Sequence, residues 1–292
     1  MNLLVTITYN AIGHDILDGF FASIRAQNAD DFILLVIDNA STDGTREYLA
    51  ALEMPNLRVI LNDENVGFGR ACNQGIAMAR EINARCITFI NNDTEFGPDL
   101  IGGMARSLEE TGAAALAPLI TPFDQPDHIW FITGTFSWRR GMIPVHDHIW
   151  QPRSAASTER FQRTDFVTGC CVIFRMTIFD TIDGFDDRFF VYWEDADLSM
   201  EMKQRGLAVL VDTALVCRHK IGISTGGTYS AFTVYNANKG YLLFVRKHYG
   251  RAVLAYVLPV VFAKLIGNLL RGRIRPQVIA PWYRGLRDGL RG

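Results

Sequence analysis

Ile33-Leu34-Leu35-Val36-Ile37-Asp38-Asn39-Ala40-Ser41-Thr42-Asp43-Gly44-Thr45 is the stretch from which the fold can be read. A short apolar run reads as a strand. The polar segment Asp38–Gly44 has turn chemistry. A helix-length pattern, Thr45–Leu52, follows it. The same alternation surrounds this unit. Leu3–Thr8 precedes Ile16–Arg25, Leu57–Leu61 precedes Gly69–Ala79, and Cys86–Ile90 precedes Asp99–Leu108 and a further strand at Ala113–Pro118. Strands alternating with helices predict an α/β fold with a mostly parallel central sheet and right-handed crossovers. Beyond it, Pro122, Pro126, Pro144 and Pro152 break residues 121–164 into aromatic pieces. Hairpin and loop are expected there, forming one wall of a site. A strand at Cys170–Phe174, a helix at Glu194–Arg205 and a strand at Ala208–Val211 complete the pattern.

The chain has 292 residues, 49% of them apolar, enough for a packed core and incompatible with global disorder. The net charge of −2 argues against a general nucleic-acid binder. It is unevenly spread. Arg246–Gly292 holds ten Lys/Arg and one acid, a net of +9, which leaves −11 on Met1–Val245. Five cysteines without C-x-x-C spacing disfavour zinc clusters and a disulfide framework, and suit a reducing compartment. The opening residues run straight into a strand pattern, so a secretory signal is not expected.

In open α/β sheets, ligands bind beyond the carboxyl ends of strands. Three polar segments should share that edge: Thr8-Tyr9-Asn10, Asp38–Gly44 and Asn91-Asn92-Asp93-Thr94-Glu95. Each alone is ordinary turn chemistry; three together favour a binding crevice. No G-x-G-x-x-G follows the first strand, and no P-loop is present, so a dinucleotide is not expected. Asp38 could accept hydrogen bonds from a base or ribose, or simply cap its turn. Asp93 suits a hard divalent cation, which often takes one or two carboxylates plus phosphate oxygens, and could otherwise cap a helix. Gly184–Leu198 runs from aromatic residues into Glu194, Asp195 and Asp197 at a helix start. The helix dipole stabilises acids there, but three exceed the need for capping. An ionised carboxylate among aromatic residues could act as a general base, its pKa kept low by the dipole. His219, after the last strand, could complete a metal site or be structural. His146-Asp147-His148 is a rival pair without a third ligand in view.

Asp38–Thr45, Asn65-Val66-Gly67-Phe68-Gly69-Arg70-Ala71-Cys72-Asn73, Asn91-Asn92-Asp93 and Trp193-Glu194-Asp195-Ala196-Asp197 resemble, in this order, the signatures of family 2 glycosyltransferases. The resemblance spans about Leu3–Thr225. It implies an inverting enzyme of the GT-A fold, a Rossmann-like nucleotide-diphospho-sugar transferase, with C-terminal helices. The N-x-G-F-G stretch is most similar to the rhamnosyltransferase branch, whose donor is dTDP-rhamnose. A UDP-hexose or UDP-galactofuranose transferase, or a catalytically silent nucleotide-sugar scaffold, are the alternatives. The resemblance implies that Asp38 contacts the nucleobase in a pocket lined by Thr8, Tyr9 and Asn10. Asn65, Gly67 and Phe68 would bound the nucleotide, and Asn92, Gly169 and Trp193 would complete the substrate site. Asp93, His219 and the Asn91 position would serve a divalent metal, Mg²⁺ or Mn²⁺. Asp195 would be the catalytic base, with Glu194 beside it. Asn91 departs from the D-x-D pattern and removes one charge from the metal site.

The division expected is a catalytic domain over 1–245, with a nucleotide-sugar half (1–120) and an acceptor half (121–245), and a basic, apolar helical tail over 246–292. Ala252–Leu270 is apolar for 19 residues, interrupted by Pro259, Lys264 and Asn268. Arg271, Arg273, Arg275, Trp282, Tyr283, Arg284, Arg287 and Arg291 follow. An apolar helix with arginines and aromatic residues suits a helix lying on an anionic leaflet. A packed helix and a membrane span are the alternatives. The expected partners are a nucleotide-sugar donor and a glycan or lipid-linked acceptor, at the cytoplasmic face of an inner membrane.

Overall fold

The computed structural model describes residues 1–14, 16–222, 230–272 and 276–292. Arg273, Arg275 and Thr225 lie outside the described residues. In chain order the elements are β1 (Asn2–Thr8), α1 (Leu17–Arg25), β2 (Phe32–Asp38), α2 (Thr45–Ala50), β3 (Leu57–Leu61), α3 (Phe68–Glu81) and β4 (Cys86–Ile90). Then come β5 (Thr94–Phe96), α4 (Leu100–Thr111), β6 (Ala115–Pro122), β7 (Gly134–Ser137), β8 (Ile143–His146), β9 (Phe161–Arg163) and β10 (Cys171–Arg175). The last are α5 (Glu194–Gln204), β11 (Val209–His219), α6 (Ala231–Tyr249), α7 (Leu254–Leu270) and α8 (Ile279–Arg291).

The main sheet has nine strands in the order β3-β2-β1-β4-β10-β6-β11-β5, with β9 also on β11. β3, β2, β1 and β4 are mutually parallel. β10 enters antiparallel between β4 and β6, and β11 returns to the common direction beside β6. Six of the nine strands therefore point one way, while β5, β9 and β10 oppose them. Leu3, Leu4, Val5, Leu34, Leu35 and Ile37 are wholly buried, as strands covered on both faces require. Helices supply the cover through apolar residues at helical spacing: Leu17, Phe20, Phe21 and Ile24 on α1, and Leu100, Ile101, Met104 and Leu108 on α4. On α3, a Cβ at Gly75 would stand 3.0 Å from Val5, so small residues let this helix lie close on β1.

The expected strands all occur, with two extended. β6 runs on to Pro122, and β11 runs to His219 where the sequence pattern stopped at Val211. Asp212 interrupts the apolar run. It is nonetheless fully buried, accepting from Ser107 Oγ (2.7 Å) and Arg160 Nη2 (3.0 Å), and the register with β6 shifts just after it. The insert contains the β7–β8 hairpin. All five cysteines are free and buried. The division at Val245/Arg246 falls inside α6, onto which α8 packs through Gly285 and Gly289; added Cβ atoms there would meet the α6 carbonyls of Tyr235 and Lys239 at 2.5 and 2.6 Å. Trp282 is buried edge-on against Phe262, so it is not an exposed interfacial anchor, whereas Tyr283, Arg284, Arg287 and Arg291 are exposed. Arg251–Leu270, with a mean hydropathy of 2.0, is long and apolar enough to cross a membrane by length and composition alone.

Candidate active site

Thr8 ends β1, Asp38 ends β2 and Asn91 follows β4, so the parallel register brings the three polar segments to one edge. Asp38 is fully buried. Its Oδ2 accepts from Arg46 Nε (2.8 Å) and the Ser41 N–H (3.0 Å), while Oδ1 has no hydrogen-bond partner. Thr8 Oγ1 is buried without one as well. Unsatisfied buried polar atoms are costly, and these two lie at the carboxyl ends of adjacent strands. Arg46 was not anticipated from sequence; its guanidinium also donates to the Asn62 carbonyl. Asn10, in a left-handed conformation (φ 51°), ties the loops after β1 and β2 together. Its N–H donates to Ser41 Oγ and its Oδ1 accepts from the Thr42 N–H, both at 2.8 Å. Tyr9 is 50% exposed. Asn65 Oδ1 receives the Gly67 N–H (3.0 Å). Gly67 has φ 86°, and a Cβ there would stand 2.5 Å from the Phe190 carbonyl oxygen, so only glycine fits.

Asp93 and His219 face each other across the pairing of β5 with β11, where Thr94 is in register with His219. Asp93 Oδ1 lies 3.3 Å from His219 Nε2, both residues are under a tenth exposed, and His219 Nδ1 is buried with no hydrogen-bond partner. Among the described residues no three His, Cys, Asp or Glu side chains converge on one point. A carboxylate and an imidazole, with two diphosphate oxygens, nevertheless make a suitable donor set for Mn²⁺ or Mg²⁺. Asn91 is fixed through its backbone: its N–H donates to the Cys170 carbonyl (2.8 Å) and its C=O accepts from Thr94 Oγ1 (2.7 Å). Asn92 is buried in the same turn. The rival histidines do not converge. His146 Nδ1 bonds the Trp130 carbonyl (3.1 Å), and His148, on the exposed side, bonds Gln151 (3.1 Å).

The start of α5 carries the acids. Tyr192 and Trp193 are both left-handed (φ 68° and 76°), a conformation costing bulky residues roughly 1–3 kcal/mol each. The Trp193 ring stacks on Tyr241 of α6, with centroids 5.0 Å apart and planes at 20°. It therefore faces the C-terminal helices. Asp195 Oδ2 accepts the Gly169 N–H (3.1 Å) and Oδ1 the Ala196 N–H (2.7 Å). A Cβ at Gly169 would sit 3.3 Å from the Phe68 ring, so Gly169, Phe68 and Asp195 form one packed cluster. Burial raises the Asp195 pKa above the ordinary carboxylate value, partly offset by those N–H groups and by charge on His146. The dipole-lowered pKa expected from sequence is thus reversed, because desolvation outweighs it. Glu194 is pushed well above its usual value by burial and then by the Asp195 charge, and its Oε2 has no partner. The two carboxyls titrate as a coupled pair, and the N–H groups on Asp195 favour its charged form against the cost of burial.

The insert, read from its aromatic pieces as one wall of a site, brings Trp130 next to His219. Trp130 lies edge-on to His219, with centroids 4.6 Å apart, and to His146 at 5.4 Å. The bridge between Ile120 and Phe131 holds this aromatic wall beside β6.

Residues 3–183 match the family described as Glycosyl transferase family 2. The chain is 30% identical to the N-acetylglucosaminyl-diphospho-decaprenol L-rhamnosyltransferase of Mycobacterium tuberculosis, covering 93% of this chain and 94% of that one. Among solved structures, S. aureus TarS 1–349 in complex with UDP-GlcNAc matches with a TM-score of 0.62 and 16% identity, over 99% of this chain and 80% of that one. The mannosyltransferase PcManGT of Pyrobaculum calidifontis, in complex with GDP-Man and Mn²⁺, matches at 0.58 with 14% identity, over 99% and 84%. At such identities the likeness is one of fold, the GT-A architecture.

Proposed function

This chain belongs to glycosyl transferase family 2, and on that premise we propose that it transfers rhamnose from dTDP-rhamnose to a hydroxyl of a lipid-linked glycan, with inversion. The observation that carries the chemistry is the Asp195 carboxylate, oriented by two N–H groups and raised in pKa by burial. The choice of sugar follows the full-length likeness to the mycobacterial rhamnosyltransferase.

Asp195 takes the acceptor hydroxyl proton as the oxygen bonds to the anomeric carbon. The bond from that carbon to the nucleoside diphosphate breaks on the opposite face. A raised pKa makes the Asp195 carboxylate a stronger base. Burial of Glu194, which raises its pKa, disfavours a second negative charge near the departing diphosphate. Asp38 and Thr8 present their unsatisfied oxygens to the base, and Gly67 lets the chain approach the nucleotide closely. Asp93 and His219 would hold a divalent cation, which when bound neutralises charge developing on the diphosphate. The exposed apolar side of α7 rests on the cytoplasmic face of a membrane, where a lipid-linked acceptor resides.

Thermal-shift measurements with a panel of nucleotide sugars and Mn²⁺ or Mg²⁺ test the donor, because a bound ligand stabilises by mass action. dTDP-rhamnose should give the largest shift. A shift with UDP-sugars and none with dTDP-rhamnose discards the rhamnosyl reading.

A further inference from the structure

A cavity of about 310 Å³ lies between α6, α7 and α8. It falls in the size range of small-molecule pockets, about 300–1,000 Å³. Its wall includes Trp193, Val234, Ala237, Tyr241, Val261 and Leu265, so it is chiefly apolar and aromatic. Trp193 immediately precedes Glu194 and Asp195, which places the cavity one residue from the acids of the reaction centre. The helix that supplies Val261 and Leu265 to the cavity also carries exposed apolar residues. Tyr256, Phe262, Ile266 and Leu270 are exposed along α7, Leu270 at 83%.

The rim is cationic. Lys264 lines the cavity, and its Nζ donates to the Arg140 carbonyl (3.1 Å). Arg139 and Arg140 are exposed in the turn that Tyr256 and Tyr241 fasten to the helices through the carbonyls of Trp138 and Gly141. Among the described residues no carboxylate lies within 4.0 Å of Lys264, Arg139 or Arg140. The Arg140 charge, after burial, lowers the Lys264 pKa, as expected of neighbouring cations awaiting an anion.

We propose that this cavity binds the lipid chain of the acceptor, an isoprenoid joined through a diphosphate, with the chain among Trp193, Tyr241 and Leu265 and the diphosphate at Lys264 and Arg140. The assignment rests on the reading of the acceptor as lipid-linked. It gives Trp193 a part in acceptor binding and connects an occupied cavity to Asp195 through the two left-handed residues before α5.

The test is photolabelling of the full chain with a farnesyl diphosphate carrying a diazirine on its terminal isoprene unit. Peptides from α6 and α7 that line the cavity should be labelled. Unlabelled farnesyl diphosphate should suppress this about tenfold, farnesol less, and inorganic diphosphate hardly at all. Labelling confined to Phe262, Ile266 and Leu270 overturns the proposal, as does equal suppression by inorganic diphosphate. Ala237→Phe fills the cavity and should reduce labelling about tenfold. If that variant does not fold, Lys264→Glu on the exposed rim decides the matter. The preference for farnesyl diphosphate over farnesol should fall below about twofold, and an unchanged preference overturns the assignment. Labelling is read without any nucleotide sugar. Absence of glycosyl transfer in a parallel assay therefore counts against the proposed function, whereas transfer to a lipid-linked acceptor with an unlabelled cavity removes this subsite alone.

Discussion

The two sides of the crevice are built differently. On the side proposed to hold the donor, around β1, β2 and β4, buried polar groups answer one another across loops. Asn10 binds Ser41 and Thr42, Arg46 binds Asp38, and Asn62 binds Asn39 (2.8 Å) and Gln74 (3.1 Å). On the side proposed to hold the acceptor, from the insert to α8, aromatic rings stack on one another and apolar side chains remain exposed. A directional network holds a shape that leaves two buried oxygens, on Thr8 and Asp38, without hydrogen-bond partners. A stack of rings adapts to chain-like ligands and orients them weakly. Specificity for the donor should therefore be sensitive to single polar atoms, and acceptor binding to volume and charge.

The comparison breaks first at Asp195, where the sides meet. Asp195→Asn should lower single-turnover transfer by about 10²–10⁴-fold while leaving donor binding, read by calorimetry, near normal. In the unmodified enzyme, kcat/KM should fall as pH drops through the Asp195 pKa. Burial raises that pKa, so the acid limb should lie above the ordinary carboxylate value of 3.8. An acid limb at or below that value removes the buried base. Next comes the metal. Excess chelator should cut turnover by about 100-fold, with recovery on adding Mn²⁺, and His219→Ala should raise the Mn²⁺ concentration required. Turnover indifferent to chelator would remove Asp93 and His219 from that role.

Smaller effects sharpen the contrast. Arg46→Ala leaves Asp38 buried without its cation. The cost should be about 2 kcal/mol, under the 3–5 of a fully buried pair because Arg46 is one third exposed. Thermal melts should drop by about 4–8 °C. On the acceptor side, Ile266→Ser with Leu270→Ser should change stability by under about 0.5 kcal/mol per site, since both are exposed. Flotation with anionic liposomes at low salt should nevertheless decline. Unchanged flotation would assign the exposed α7 face to something other than membrane.

The donor side was more legible in sequence for a physical reason. Buried strands such as Leu3–Thr8 and Ile33–Ile37 are unbroken apolar runs, and their polar followers gather at one edge by topology alone. Elements whose stability comes from distant partners left no local trace. Asp212 looks like a strand end until Ser107 and Arg160 reach it. β5 has only three residues, yet its pairing with β11 is what sets Asp93 beside His219. Arg46 became visible only with Asp38 across the turn. Trp193 was assigned to the substrate site from the resemblance. Its left-handed backbone turns the ring onto Tyr241, a geometry no side-chain pattern encodes.

The antiparallel entry of β10 between β4 and β6 also sets an order of events during synthesis. β4 is complete at Ile90, but its partner begins only at Cys171. At roughly 5–20 residues per second, a growing chain waits on the order of 4–16 s with that edge open. Phe89 and Ile90, buried in the finished protein, have no strand beside them on that side during the interval. The segment proposed to bind the donor is thus closed by residues encoded after it. A nascent chain stopped near residue 120 would carry an aggregation-prone edge that the completed sheet hides.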